Sequence, residues 1–418
     1  MSTRTDQQPL GGADARSYGA YVGLAAVNLS VSAALLLLLA NSLPVDQYAS
    51  FGVISSVAGL VLLLVNAGHK EALFKFASQS NLDELKETTQ SLRGWLVPFL
   101  ALALLSLIVS PKAGLAALMF LSLYVAIATA AVFRGRAQYV KDAALWPLYR
   151  TFWLGGCVGF FLLEFELSLT QVFGVGGIAA LLAFLTLGGQ QVVRELLGGS
   201  SLKLSWPLRN STLRQFFYVE VATVAYLKID VLLLAFLGVP SHELATYFFS
   251  IQLFEAALLL VMPVGYLFFN RINADEFKKG EAHTFLKFAA GTFAICFTLI
   301  FGWMALGECL LESFFPSYLA SKAITGILLI ALLPWGLASL GSYTLIAADQ
   351  ERLVARVFLV GLIFHIALNV VLISLQGAQG AAWARVATEV LIASLLYLLA
   401  IRNVSSVEVS TKLPPNDP

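Results

Sequence analysis

Charge is what this chain has least of. Only 12% of its 418 residues are Asp, Glu, Lys or Arg, against about 25% in soluble domains. With 59% hydrophobic residues and a mean hydropathy of +0.82, the chain reads as a polytopic membrane protein. Cysteine is scarce too. Cys157, Cys296 and Cys309 fall on or beside apolar runs without ligand spacing, so they read as small apolar side chains. There is no His-Glu-x-x-His, no paired-cysteine metal motif, no phosphate-binding Gly-rich loop and no Gly-x-Ser-x-Gly. No cofactor, metal or built-in ATPase is therefore expected. Any drive must come from an ion gradient, substrate supply or the membrane potential, worth ~2.3 kcal/mol per charge per 100 mV. Long loops are missing as well. The longest are His69–Arg93 and Gln191–Gln215, so no soluble domain stands on either side. That argues against an enzyme with an extramembrane catalytic domain, and the net charge of +1 gives no reason to expect nucleic acid as a partner.

What the chain does have is apolar runs. A crossing needs ~20 mainly apolar residues. The runs 18–40, 47–68, 94–111, 113–133, 145–163, 168–190, 216–238, 244–269, 287–307, 323–347, 355–375 and 380–401 each qualify as a span. Of the 26 Lys and Arg residues, 22 lie in loops after even-numbered spans or in the two ends, and only Lys112 and Lys322 lie in loops after odd-numbered spans. Lys228 and Arg385 sit within spans. A wrong span count would scramble this alternation. The positive-inside rule therefore predicts twelve helices with both termini in the cytoplasm.

The runs group into a six-helix lobe over 18–193, a cytoplasmic linker over 194–215 and a second six-helix lobe over 216–401. The polar ends, 1–17 and 402–418, read as disordered cytoplasmic tails. The halves also repeat: Leu43–Phe51 (LPVDQYASF) aligns with Val239–Tyr247 (VPSHELATY). Halves of even helix number have the same orientation, so the relation is a parallel repeat about an axis along the membrane normal.

The stretch Phe216–Asn270 concentrates the buried chemistry. Glu220, Lys228, Asp230 and Glu255 lie inside its two apolar runs. A charge at mid-bilayer costs ~3 kcal/mol or more, so such groups face a cavity or a partner. Lys228 and Asp230 are two residues apart and point to opposite sides of a straight helix. In the last two spans, His365 and Asn369 share a face, as do Arg385 and Glu389. Two readings stand open. One is structural pairing, such as Arg385 with Glu389 and Lys228 with an acid. The other is a polar cavity in which Glu220, Asp230, Glu255 or His365 exchanges a proton or sodium ion. The first half holds Asn28 and Asn66 but little charge within its spans. Its cations, Lys70, Arg134, Arg136 and Arg150, collect at cytoplasmic helix ends. They are either topology signals or an inner-leaflet site for a phosphate headgroup, which guanidinium matches bidentately. Pro263 and Pro334 each allow a bend in their span.

Together these residues resemble a known family. AYLKIDVLLLAFLGVPSHELATYFFSIQLFEAALLLVMPVGYLFF is similar to spans 7 and 8 of polysaccharide-biosynthesis flippases. Those have a basic-x-Asp step (here Lys228, Asp230), a Leu-Gly turn (Gly238) and an acidic-x-x-x-aromatic start to the next helix (Glu243, Tyr247). The end of the chain resembles the family's last three spans, with Asn369, the Gly377–Gly380 turn and Glu389. The resemblance extends to the multidrug/oligosaccharidyl-lipid/polysaccharide exporter superfamily and, within it, to O-antigen (Wzx-type) flippases. It implies an all-α fold of twelve transmembrane helices in two six-helix lobes around a central cavity (MATE-like), working by alternating access. It implies a bacterial inner-membrane flippase of polyprenyl-pyrophosphate-linked glycan, coupled to H⁺ or Na⁺ or to the potential. Its partners would be a polysaccharide polymerase and glycosyltransferases. On this reading Asn28, Lys228, Asp230, Arg385 and Glu389 line the cavity, and Lys70, Arg134 and Arg150 make the first headgroup contact. The alternative on the same fold is a cation-coupled exporter of small molecules. A major-facilitator carrier fits less well, since the loop after span 2 reads NAGHKEALFK. A glycan polymerase would need a large periplasmic loop.

Overall fold

Runs this apolar leave the backbone one way to satisfy itself away from water, the helix. The structure, a computed structural model, describes residues 13–78, 81–136, 138–197, 211–221, 225–273, 281–347 and 350–412. All regular elements among them are helical: α1 (Ala13–Ser42), α2 (Val45–Asn66), α3 (His69–Ser78), α4 (Leu82–Val109), α5 (Pro111–Gly135), α6 (Tyr139–Leu162), α7 (Leu169–Thr186), α8 (Gly189–Leu197), α9 (Ser211–Glu220), α10 (Tyr226–Phe236), α11 (Ser241–Asn273), α12 (Glu281–Phe314), α13 (Ser321–Ile330), α14 (Leu332–Ala347) and α15 (Glu351–Lys412), with a 3₁₀ turn at Pro316–Tyr318.

By length and hydropathy, 8 stretches among the described residues can cross a membrane. Seven answer to one predicted span each. The eighth, Arg352–Leu399, is 48 residues long and serves two, because α15 turns back at Gly377. The remaining three predicted spans are α1, α6 and the α9–α10 pair. Twelve crossings are thus accounted for. Residues 1–12, 198–210 and 413–418, parts of the predicted tails and linker, lie outside the described residues. Residues 402–412 continue α15 instead of forming a tail.

Local sequence explains the joints. Ser110 ends α4 and caps α5, its hydroxyl accepting from Ala113 N, with Pro111 at the first helical position, where no N–H is needed. Pro334 cannot donate to the carbonyl four residues back. The predicted span 323–347 accordingly breaks at Ala331, whose N–H turns to Leu328 O at 3.0 Å.

The predicted loop His69–Arg93 is instead helical, as α3 and the start of α4. Ala67 (φ 43°) and Gly68 (φ 82°) turn the chain out of α2. Asn66 Oδ1 accepts from Tyr124 OH (2.7 Å) and Lys70 N (2.8 Å). His69 Nδ1 donates to Asn66 O (2.6 Å), and its Nε2 accepts from Ser91 Oγ (3.1 Å). Burial pushes this imidazole down to about 4, so it packs as a neutral ring. Apolar run length carries no signal for this, because the partners Ser91 and Tyr124 lie 22 and 58 residues away along the chain.

Contacts divide the chain into two units. One holds the described residues up to Leu38 and those from Val65 to Arg214. The other holds Leu39–Leu64 and the chain from Gln215 onward. Most of α2 therefore groups with the second unit. Within that unit, Tyr48 and Phe51 of α2 pack on Phe248 of α11 at 5.4 and 5.8 Å between ring centres. A Cβ on Gly52 would come within 2.6 Å of Phe248 Cγ.

The turn inside α15 uses Gly377 at φ 55°, ψ −133°, a region reserved for glycine. Glu243, in the first turn of α11, accepts from Ala378 N at 3.4 Å. A Cβ on Gly377 would lie 2.4 Å from Glu243 Oε2. Gly377→Ala should therefore lower stability by about 1–3 kcal/mol, read as the thermal midpoint of the purified protein. An unchanged midpoint would contradict this account of the turn.

Candidate functional site

Helical spacing gathers the polar groups of the second unit. On α10, Tyr226 and Asp230 are four residues apart and share a face, while Lys228 lies between them on the other side. The arm of α15 before Gly377 presents His365 and Asn369 at the same spacing. The arm after it presents Arg385, Thr388 and Glu389. α11 adds Tyr247 and Glu255. The sequence expectation that Lys228 and Asp230 point apart holds. Asp230 is 0% exposed, whereas the Lys228 side chain keeps 28% of its surface.

Two separate charge groups result. Lys228 Nζ meets Glu255 Oε1 at 2.6 Å, both half-buried. The other group is enclosed, with His365 and Thr388 at 0% exposure and Arg385 and Glu389 at 1%. Arg385 Nη1 donates to Tyr226 O (3.1 Å) and Asp230 Oδ2 (3.2 Å). Its guanidinium stacks over the Tyr226 ring, 4.4 Å from the centre. Tyr247 OH donates to Asp230 Oδ2 (2.7 Å), and Tyr226 OH to Glu389 Oε1 (2.6 Å). Arg385 Nε stands 3.8 Å from Glu389 Oε1. The expected Arg385–Glu389 pair is thus the looser one, and Asp230 is the nearer carboxylate. The Lys228 and Glu255 side chains keep 28% and 33% of their surface, whereas the Asp230 group is enclosed.

Thr388 Oγ1 stands 2.7 Å from Ala384 O and 3.0 Å from His365 Nδ1, and can donate its one hydrogen to either. His365 Nε2 contacts Asp230 Oδ1 and lies 3.1 Å from Asn369 Nδ2. A neutral imidazole with its hydrogen on Nε2 donates to that carboxylate. One guanidinium against two carboxylates leaves a formal charge of −1, which one bound proton would cancel. An uncompensated charge in a dry interior is strongly destabilising.

In the first unit, two residues assigned different roles by sequence come together. Arg150 Nη1 of α6 donates to Asn28 Oδ1 of α1 at 3.1 Å and contacts Ser32 Oγ. Its guanidinium lies 5.6 Å from the Trp146 ring centre. Arg134 is committed elsewhere, bidentate on Asp142 at 2.8 and 3.0 Å. Lys70 donates its backbone N–H to Asn66 at the start of α3. Glu220 is half-buried at the end of α9. Sequence reasoning passed over Tyr226 and Thr388. The only signal for them was their spacing, i−4 from Asp230 and i+3 from Arg385. Tyr247 was noted only as part of a turn motif.

No protein-family model matches the chain, and no curated protein matches it. Solved structures do. A multidrug-resistance MATE transporter of the MOP superfamily, in its inward-facing conformation, superposes with a TM-score of 0.66 at 11% identity, over 93% of this chain and 100% of that one. The lipid II flippase MurJ, inward closed, gives 0.67 at 12% identity, over 93% and 87%. A eukaryotic MATE transporter gives 0.62 at 14% identity, over 93% and 96%. At these identities the likeness establishes the fold: the expected MATE-like architecture is the observed one. All three of these neighbours are transporters or flippases.

Proposed function

We propose that this chain, built on the fold of MATE transporters and the lipid II flippase, flips polyprenyl-pyrophosphate-linked oligosaccharide units across a bacterial inner membrane by alternating access. The carrying observation is Arg150 set between Asn28 and Ser32 in the first unit. An oriented guanidinium suits a pyrophosphate and disfavours a cationic cargo. Asn28 and Arg150 take the headgroup, with Lys70 as an earlier contact on the basic side. Lys228 and Glu255 offer a polar surface to the sugar. Proton exchange at the Asp230–His365–Arg385–Glu389 group supplies the drive. The guanidinium already occupies the place a sodium ion would take on Asp230, which favours H⁺. A polymerase and glycosyltransferases would act on either side of this step.

Arg150→Gln should slow flipping of a fluorescent polyprenyl-pyrophosphate sugar in proteoliposomes by about 10- to 100-fold. That is the effect of losing one hydrogen bond to a charged group, about 1.5–3 kcal/mol. A wild-type rate would remove the headgroup assignment. The second reading, a cation-coupled exporter of small molecules, draws on the multidrug transporters that share the fold. It requires efflux of cationic dyes and indifference to a glycan pathway.

A further inference from the structure

The first unit contains an apolar groove that the transport reading does not use. Its volume is about 290 Å³. One wall is a face of α4 that includes Leu96 and Leu100, and the other is a face of α5 that includes Val125 and Ala128. Leu73 of α3 and Val192 of α8 close the end nearest the basic loops. Two threonines also line it, Thr89 and Thr129, but their hydroxyls donate to Leu85 O (2.8 Å) and Val125 O (2.9 Å) of their own helices. They present no unsatisfied donor to the groove.

Arg93 stands on the rim. It is exposed, and among the described residues its side chain has no ion-pair or hydrogen-bond partner. It is also the last charge of α4 before the uncharged stretch Gly94–Val109. That places it at headgroup level in the leaflet facing the basic loops. Beyond it the groove follows α4 to Leu100, about 10 Å at 1.5 Å per residue. Val97 and Leu100 are 50% and 47% exposed, so the groove opens sideways toward lipid.

We propose that this groove is a binding site for an acidic phospholipid, with one acyl chain against α4 and α5 and the phosphate on Arg93. A dry apolar groove takes up apolar chains. A basic side chain at the cytoplasmic-side mouth of an interhelical pocket selects anionic headgroups. The occupant is a resident lipid and not the transported one, because the groove shares no lining residue with the headgroup site at Asn28, Ser32 and Arg150.

The test is native mass spectrometry of the full chain in mild detergent, with dioleoyl phosphatidylglycerol, dioleoyl phosphatidylcholine or undecaprenyl phosphate added in turn. Wild type should retain phosphatidylglycerol about fivefold more than phosphatidylcholine, the factor one basic residue supplies near a charged headgroup. Arg93→Gln should erase that preference. Ala128→Phe should fill the groove and lower retention of both phospholipids. Val97→Trp, which covers the groove from its rim, stands in if Ala128→Phe does not fold. The proposal is overturned by equal retention of the two phospholipids in wild type, by a preference surviving Arg93→Gln, or by undecaprenyl phosphate outcompeting phosphatidylglycerol.

Discussion

Asp230→Asn is expected to lower stability by about 3–5 kcal/mol, the range for breaking a buried ion pair, and to abolish gradient-driven transport. Asp230 is fully enclosed and receives Tyr247 OH and Arg385 Nη1 on one oxygen and His365 on the other. Asparagine keeps the shape but not the charge. Arg385 is then left facing Glu389 alone, at 3.8 Å, and the carboxylate that His365 meets is lost. The stability effect is read by thermal unfolding in detergent. The transport effect is read as flipping with and without an imposed pH gradient. A variant that melts like wild type and still responds to the gradient would place Asp230 outside the mechanism.

The second large effect belongs to Arg385. Arg385→Gln removes the cation that balances two enclosed carboxylates, and a loss of about 3–5 kcal/mol is expected again. The informative measurement is the double variant. With Asp230→Asn and Arg385→Gln together, the carboxylate that Arg385→Gln alone leaves without its cation is gone as well. The double should therefore lose less than the sum of the singles, by about 0.5–3 kcal/mol. Strict additivity would mean that the 3.2 Å contact carries no coupling.

The fold was legible from residues alone because apolar run length and the alternation of basic loops are strong signals in a membrane chain. Pro334 marked the break by its missing backbone donor, and the family resemblance marked the turn at Gly377. The site was legible only in part. Asp230, His365, Arg385 and Glu389 stood out because ionisable side chains in apolar runs are costly. Their pairing did not. Neighbour spacing on one helix suggested Arg385 with Glu389, but Asp230 on α10 is the closer partner. That choice depends on how α10 packs between the two arms of α15, and no local pattern encodes it. Tyr226 and Tyr247 were invisible as hydrogen-bond donors for the same reason: an aromatic in an apolar run looks like core until its hydroxyl's partner is seen. Arg134 illustrates the reverse. It looked like a headgroup contact, and Asp142, eight residues on, already holds it bidentate.

The most direct test is to reconstitute the full chain in liposomes with a fluorescent polyprenyl-pyrophosphate oligosaccharide. Accessibility to a membrane-impermeant quencher then follows a pH jump, with a sodium jump at constant pH as the comparison. The account predicts protein-dependent flipping that the pH gradient accelerates, a protonophore abolishes and sodium leaves unchanged. Flipping no faster than in protein-free liposomes, or flipping driven by sodium alone, would contradict it.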